Sequence, residues 1–193
     1  MEKRHFFAYM ARMKLIRRWS LRRNTREEND AEHSLQVAMI AHALAELRNT
    51  RYVGHVDSGR VMTLAAYHEA AEVITGDLAS PIKYFNPGIR DAFKEIEALA
   101  SKKLLTYLPE DMRGKYEPIL SQRGEEEAWT LVKAADKISA YVKCVEEGGY
   151  GNDEFRQAQR QLRSAVEAFH LPEAEDFMRE FAPSYALPLD ALN

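Results

Sequence analysis

Apolar residues recur at three- and four-residue intervals along most of the chain, which is the spacing of amphipathic α-helices. Signals typical of strands are sparse. The pattern predicts helices over residues 3–16, 31–48, 58–75, 89–104, 109–120, 124–147, 153–169 and 172–181. The segment 109–120 should break near Gly114. We therefore expect an all-α fold, with residues 1–193 forming a single domain of about six to eight helices.

The predicted helix over residues 58–75 departs from the amphipathic pattern, because it is apolar on almost every side. Three ionisable residues interrupt it: His68, Glu69 and Glu72. Residues advance by about 100° along a helix, so these side chains fall within roughly one third of its circumference. A buried carboxylate without a partner is costly, and such groups usually face a metal ion or a fixed cation. The three residues therefore predict a polar site in an apolar wall.

Two further residues place a polar group in an apolar setting. His33 projects within about 40° of the apolar stripe of its predicted helix, and Asp136 lies on an apolar flank of another. Each residue alone is more typical of a hydrogen-bonded core group. With His68 and Glu69, however, they offer two imidazoles and two carboxylates. That ligand set suits a divalent transition metal such as Mn, Fe, Co, Ni or Zn.

Composition and charge exclude several classes of protein. The formal net charge of -3 argues against a general nucleic-acid or membrane binder. The single cysteine, Cys144, excludes an intrachain disulfide and fits a reducing compartment. The N-terminal residues lack the apolar stretch and cleavage site of a signal peptide, and no segment approaches the length of a transmembrane helix. We expect a cytoplasmic protein that binds neither nucleic acid nor membranes.

A basic stretch, Arg17-Arg18-Trp19-Ser20-Leu21-Arg22-Arg23, follows the first predicted helix. One interpretation is a solvated helix end, where arginine complements the helix dipole. The other is an anion site, in which arginine binds phosphate through two hydrogen bonds and Trp19 offers a flat wall. Composition alone favours the first interpretation.

Several local motifs resemble those of HD-domain metal-dependent phosphohydrolases. They are Glu32-His33-Ser34, Tyr67-His68-Glu69-Ala70-Ala71-Glu72, Thr75-Gly76-Asp77 and the stretch Ala135 to Tyr141. Nearly the whole chain is similar to bacterial 5'-deoxynucleotidases of the YfbR type, including His5-Phe-Phe-Ala, the Arg18-Trp19 pair and Pro81-Ile-Lys-Tyr-Phe. The resemblance implies an HD-domain helical bundle that assembles as a homodimer. It also implies hydrolysis of deoxyribonucleoside 5'-monophosphates to nucleoside and phosphate.

The same resemblance implies a metal centre. His33, His68, the acidic residue at position 69 and Asp136 would hold a divalent ion such as Co or Mn, which would polarise the phosphate. Glu72 would protonate the leaving 5' oxygen or order the attacking water.

The resemblance also implies four substrate contacts. Arg18 would pair with the phosphate, and Trp19 would close on the sugar and disfavour a 2'-hydroxyl by its bulk. Asp77 would accept a hydrogen bond from the 3'-hydroxyl. Lys83 is a weaker candidate for neutralising the phosphate.

One position departs from the family pattern, because the usual His-Asp pair is here His68-Glu69. Glutamate keeps the charge and adds a methylene, whereas ligands must usually be held within about half an ångström. Three outcomes stay open: an adapted site, a weakened metal site and an inactive variant. We expect a hydrolase impaired relative to its His-Asp relatives. The alternative is a nucleotide-binding protein of the same fold with little or no hydrolytic activity.

Overall fold

The computed structural model describes residues 4–83 and 85–192, which contain ten α-helices. They are α1 (Phe6–Met10), α2 (Asp30–Arg51), α3 (Ser58–Ala66), α4 (Glu72–Thr75), α5 (Ser80–Lys83), α6 (Pro87–Leu105), α7 (Glu110–Ser121), α8 (Glu126–Gly149), α9 (Arg156–Glu167) and α10 (Pro172–Glu180). Within the described ranges, the β-structure consists of an isolated bridge between Arg17 and Asn29. The all-α prediction is confirmed.

The helix count exceeds the expected six to eight for two reasons. The predicted helix over residues 58–75 is divided into α3 and α4, and the loop after it contains the short α5. Residue 3, where the first predicted helix begins, and Tyr84 of the Pro81–Phe85 motif lie outside the described residues. In the part of the chain that is described, no helix has both the length and the apolar character that crossing a membrane requires.

The core lies between the two longest helices, α2 and α8, with α3 packed against both. The predicted apolar stripes of α2 and α8 are buried there, including Val37, Leu44, Leu131, Ile138 and Val142, all fully inaccessible. Burying such side chains is worth roughly 1.5–3 kcal/mol each. This packing fixes the two helices that carry His33 and Asp136.

The start of α2 is set by the capping residue Asn29. Its side-chain oxygen accepts hydrogen bonds from the backbone N–H groups of Ala31 and Glu32, both at 3.0 Å. These bonds satisfy two of the donors that a helix leaves unpaired at its first turn. Asp30 is therefore the first residue of α2, and its side chain is fully buried.

The prediction of one helix over residues 58–75 is wrong in its middle. The helix α3 ends at Ala66, and the chain makes tight turns before Glu72 starts α4. The N–H groups of Tyr67 and His68 bond to carbonyls three residues back, at 3.2 and 3.3 Å. His68 Nδ1 also lies 2.7 Å from the Ala65 carbonyl oxygen and hydrogen-bonds to it. The side chain therefore competes with backbone N–H groups for this acceptor.

A second apolar cluster supports this turn from behind. Phe6 of α1 is buried with Ala70 of the turn, with Leu104 of α6 and with Leu108, which follows that helix. The predicted helix over residues 3–16 is shorter than expected, because α1 ends at Met10 and a 3₁₀ turn follows. Packing thus holds the turn residues in place.

The predicted break near Gly114 does not occur, since α7 is continuous from Glu110 to Ser121. A helical glycine is only about 1 kcal/mol less favourable than alanine. The burial of Ile119 and Leu120 on this helix is sufficient to override that preference.

Candidate metal centre and substrate pocket

The structure brings together all four residues of the candidate metal centre. His33 comes from α2, Asp136 from α8, and His68 and Glu69 from the turn between α3 and α4. One potential ligand atom from each side chain lies within 4.8 Å of all the others. His33 Nε2 lies 3.1 Å from Asp136 Oδ1, and His68 Nε2 lies 3.5 Å from Glu69 Oε1.

Hydrogen bonds determine which nitrogen of each histidine is free to bind a metal. The Ala65 carbonyl can only accept, so His68 carries its proton on Nδ1 and keeps a lone pair on Nε2. Ser139 Oγ donates its proton to Gln36 Oε1 at 2.6 Å and lies 3.2 Å from His33 Nδ1. Ser139 therefore accepts from His33 Nδ1–H, and Nε2 is the nitrogen of His33 that faces Asp136 and the rest of the cluster, 3.1 Å from Asp136 Oδ1.

The donor set fits a divalent transition metal. His68 Nε2 is buried and has no hydrogen-bond partner among the described residues, so this lone pair is unsatisfied within the cluster. Burial lowers the pKa of His68, which favours the neutral imidazole that metals bind. Burial opposes ionisation of Asp136, but hydrogen bonding to His33 and the charge of Lys137 hold its pKa well below the usual range.

The longer side chain at position 69 reaches the cluster. Glu69 Oε1 lies 3.7 Å from Arg18 Nη1, in addition to its contact with His68. Burial opposes ionisation of Glu69, yet the charges of His68 and Arg18 outweigh it and lower its pKa. Position 69 therefore presents a carboxylate to the same point as the other three residues.

Glu72 lies beside the cluster as a buried carboxyl group, with 5% of its surface exposed. Burial and the neighbouring carboxylates of Glu69 and Asp30 raise its pKa to about 11. Asp30 is fully buried, and burial raises its pKa to about 6. Glu72 is thus protonated at neutral pH and has a proton to donate.

Arg18 is the cation of the site. Its guanidinium lies 3.6 Å from Glu28, 3.9 Å from Asp30 and 3.7 Å from Glu69, and 13% of its side chain is exposed. Arg18 Nε is buried without a hydrogen-bond partner among the described residues. Arg18 is therefore not part of a solvated helix end, which was one of the two interpretations of the basic stretch.

Trp19 lies next to Arg18 in a left-handed backbone conformation, with φ 55°. Its indole N–H donates to Glu28 Oε2 at 2.8 Å, and its ring packs against Phe155 with centroids 5.3 Å apart. Sequence reasoning missed both Glu28 and Asp30 as neighbours of the cluster. Both residues belong to a polar segment that resembles a solvated loop, and contacts between distant residues, such as the bridge between Arg17 and Asn29, fold that segment inward.

Asp77 and Lys83 are not among the four clustered groups. Asp77 follows Gly76, whose φ of 73° ends α4, and burial raises its pKa against the opposing charge of Arg18. Lys83 Nζ forms an ion pair with Glu97 at 3.0 Å and lies 5.1 Å from the centre of the Phe93 ring. Its charge is already paired within the protein.

Comparison with known proteins identifies relatives along the whole chain. Residues 5–185 match the family described as 5'-deoxynucleotidase YfbR-like. The 5'-deoxynucleotidase VV1113 of Vibrio vulnificus is 48% identical over 194 residues, which cover 100% of both chains. The 5'-deoxynucleotidase yfbR of Photorhabdus temperata is 50% identical over 191 residues, covering 98% of this chain and 96% of that protein.

Solved structures share the fold at lower sequence identity. An HD-domain phosphohydrolase from Listeria innocua superimposes with a TM-score of 0.81 at 20% identity, covering 94% of this chain and 88% of the other. The HD phosphohydrolase DatZ of cyanophage S-2L, bound to dA and one catalytic Zn²⁺ ion, gives a TM-score of 0.65 at 17% identity. It covers 92% of this chain and 96% of the other. The chain belongs to the YfbR-like family of 5'-deoxynucleotidases, as its sequence motifs predict.

Proposed function

We propose that this protein is a metal-dependent 5'-deoxynucleotidase that hydrolyses deoxyribonucleoside 5'-monophosphates to deoxyribonucleoside and phosphate. The observation that carries the proposal is the convergence of four potential ligand atoms within 4.8 Å, beside Arg18, in a chain of this family. The relatives that match the full length are named for the same activity.

His33, His68, Glu69 and Asp136 would hold the metal ion, for which we propose Co or Mn. The Nε2 atoms of both histidines, which face the cluster, and the ionised carboxylates support this assignment. When bound, such an ion supplies Lewis acidity toward a phosphate ester.

Arg18 binds the phosphate in this proposal, and Glu72 delivers the proton. The unpaired Nε of Arg18 and its position beside Glu69 support phosphate binding there. Expulsion of the 5' oxygen requires a proton on that oxygen, and the buried carboxyl group of Glu72 holds one at neutral pH.

The sugar would be recognised by Trp19 and Asp77. The indole of Trp19 is fixed by its bond to Glu28, so it can present a rigid surface that disfavours a 2'-hydroxyl. Asp77 would accept a hydrogen bond from the 3'-hydroxyl. Lys83 keeps a secondary role near the phosphate, which its pairing with Glu97 weakens.

Phosphate release from dAMP and AMP tests the substrate assignment. Wild-type protein should favour dAMP, and Trp19→Ala should bring the two rates to within about threefold of each other. Trp129→Phe changes the other tryptophan, which is buried in the core. This variant is the matched control and should keep the preference for dAMP. Equal rates in the wild type would contradict the role of Trp19.

A second candidate function is nucleotide binding with little or no hydrolysis, and Glu69 is the observation that favours it. Glu69→Asp separates the two, since it restores the usual His-Asp pair. A wild type that binds dAMP without releasing phosphate, together with an active Glu69→Asp variant, would establish the second function. Phosphate release by the wild type would exclude it.

We also propose that the protein is a cytoplasmic homodimer whose partner is a small nucleotide rather than nucleic acid or membrane. Its single cysteine, Cys144, is buried with 1% of its surface exposed, which suits a reducing compartment. Light scattering should give twice the chain mass of 22.2 kDa. A mass of 22.2 kDa at micromolar concentration would contradict the dimer.

A further inference from the structure

Glu28 contacts three residues that the proposed function uses for different tasks. Its Oε2 accepts the indole N–H of Trp19 at 2.8 Å and lies 3.6 Å from Arg18 Nε. Its Oε1 lies 3.7 Å from His33 Nδ1. With 12% of its side chain exposed, Glu28 is held where these three groups meet.

The contact with Trp19 fixes the orientation of the indole. Trp19 adopts φ 55°, a conformation that is unfavourable for a residue other than glycine and persists only when its surroundings hold it. Packing against Phe155 limits where the ring can lie, but only the bond to Glu28 directs its N–H edge. The backbone contributes as well, because the N–H of Arg18 donates to the Glu28 carbonyl at 3.0 Å.

The contact with His33 acts from the side opposite to the metal. Ser139 accepts the Nδ1 proton of His33, and Glu28 adds a negative charge near the same nitrogen. A carboxylate on that side of a ligating histidine increases the basicity of the other nitrogen, which strengthens its bond to a metal. Glu28 can therefore affect metal binding without touching the ion.

We infer that Glu28 is a positioning residue that couples sugar discrimination, through Trp19, to metal affinity, through His33. The sugar-discrimination half rests on the proposed deoxynucleotidase function. The metal half rests only on His33 being a ligand, so the two halves can fail separately.

Two substitutions at position 28 distinguish the halves. Glu28→Ala removes the contacts with Trp19 and with His33. Mn²⁺ affinity and the dAMP-to-AMP ratio of kcat/KM should therefore each fall by about tenfold or more. Glu28→Gln keeps an oxygen that can accept from Trp19 but loses the charge. It should therefore weaken Mn²⁺ binding while keeping the ratio within about twofold of the wild type.

The matched control is Glu27→Ala, which removes the same charge from the same loop. Glu27 is 65% exposed and pairs with Arg17 at 3.0 Å, away from the cluster. Mn²⁺ affinity measured by calorimetry, the dAMP-to-AMP ratio and the melting temperature should all match the wild type. A purely structural role for Glu28 would lower the melting temperature without changing the ratio.

Values for Glu28→Ala within about twofold of Glu27→Ala in both measurements would overturn the inference. So would a Glu28→Gln variant that binds Mn²⁺ as tightly as the wild type, which removes the metal half. A wild type that hydrolyses neither nucleotide would instead overturn the proposed function. The near-ultraviolet circular dichroism of Trp19 would then test whether Glu28 orients the indole. Glu28→Ala should lose this signal, and a retained signal would refute the coupling.

Discussion

At the scale of single residues, the metal centre depends on where each histidine carries its proton. Ser139 controls this for His33, because it accepts the Nδ1 proton only while its own hydroxyl donates to Gln36. Ser139 is fully buried, so a solvent water molecule cannot take its place as the acceptor for His33. The chemistry of the site thus extends one layer beyond the four candidate ligands.

We expect Ser139→Ala to weaken Mn²⁺ binding by about tenfold or more, since the His33 ring loses the acceptor that fixes its tautomer. Calorimetric titration with Mn²⁺ measures this change. Ser164→Ala, an exposed substitution on α9, is the control and should bind Mn²⁺ as the wild type does. Unchanged affinity in Ser139→Ala would show that this hydrogen bond does not prepare the ligand.

Glu72 separates catalysis from metal binding at the same scale. Glu72→Gln keeps the shape of the side chain but removes the transferable proton, so kcat on dAMP should fall by about 100-fold or more. Mn²⁺ affinity should change little, because Glu72 is not among the four clustered groups. Glu95→Gln, an exposed change on α6, serves as the control. Full activity in Glu72→Gln would refute its role as proton donor.

Particular residues show how far the sequence predicts this site. His33, His68 and Asp136 are identifiable because each interrupts an apolar pattern. Glu28 and Asp30 are not, since their segment is polar throughout and its inward fold depends on long-range contacts such as the bridge between Arg17 and Asn29. A sequence pattern reports burial along one element, whereas this contact joins two distant parts of a loop.

At the scale of elements, the turn between α3 and α4 determines where His68, Glu69 and Glu72 project. The turn keeps the apolar character of a helix on one side, because Ala70 is buried just as a helical residue would be. The sequence therefore predicts one helix, whereas in the structure the His68 ring bonds to the Ala65 carbonyl where α3 ends. The long helices α2 and α8 are predictable because their apolar stripes are buried in the core along their length.

Two glycine-to-alanine substitutions in these elements should change the free energy of unfolding in opposite directions. Gly76→Ala should destabilise the fold by about 1 kcal/mol or more, because φ is 73° there although no atom lies within 4 Å of the added methyl group. Gly114→Ala lies in continuous helix with the same free space and should stabilise it by about 0.5–1 kcal/mol. Urea unfolding measures the free energy of unfolding of both variants. A change in the same direction in both would contradict the role of the positive φ at Gly76.

At the scale of the whole molecule, the buried carboxylate of Glu147 joins the loop between Trp19 and Asn29 to the end of α8. Glu147 accepts hydrogen bonds from the Thr25 backbone N–H at 2.9 Å and the Asn152 side chain at 2.7 Å, and it pairs with Lys143. Burial opposes its ionisation, but these bonds lower its pKa to about 2. Its ionised form therefore stabilises the folded chain.

The pH dependence of stability follows from this shift. The pKa of Glu147 falls from an ordinary 4.5 to about 2 on folding, so its contribution is complete above pH 4.5 and is lost as pH falls toward 2. The contribution is about 3 kcal/mol. Glu147→Gln should lower the free energy of unfolding at neutral pH and flatten its decline between pH 5 and 2, measured by urea titration. Glu175→Gln, an exposed change on α10, should keep the wild-type slope.

The central claim is that the whole molecule is a metal-dependent deoxynucleotidase. The most direct test is phosphate release from dAMP by the wild-type protein, after removal of metal with a chelator and again after addition of Mn²⁺ or Co²⁺. We predict no release without metal and restored release with either ion. The absence of phosphate release with every divalent metal, or full release after chelation, would contradict the account.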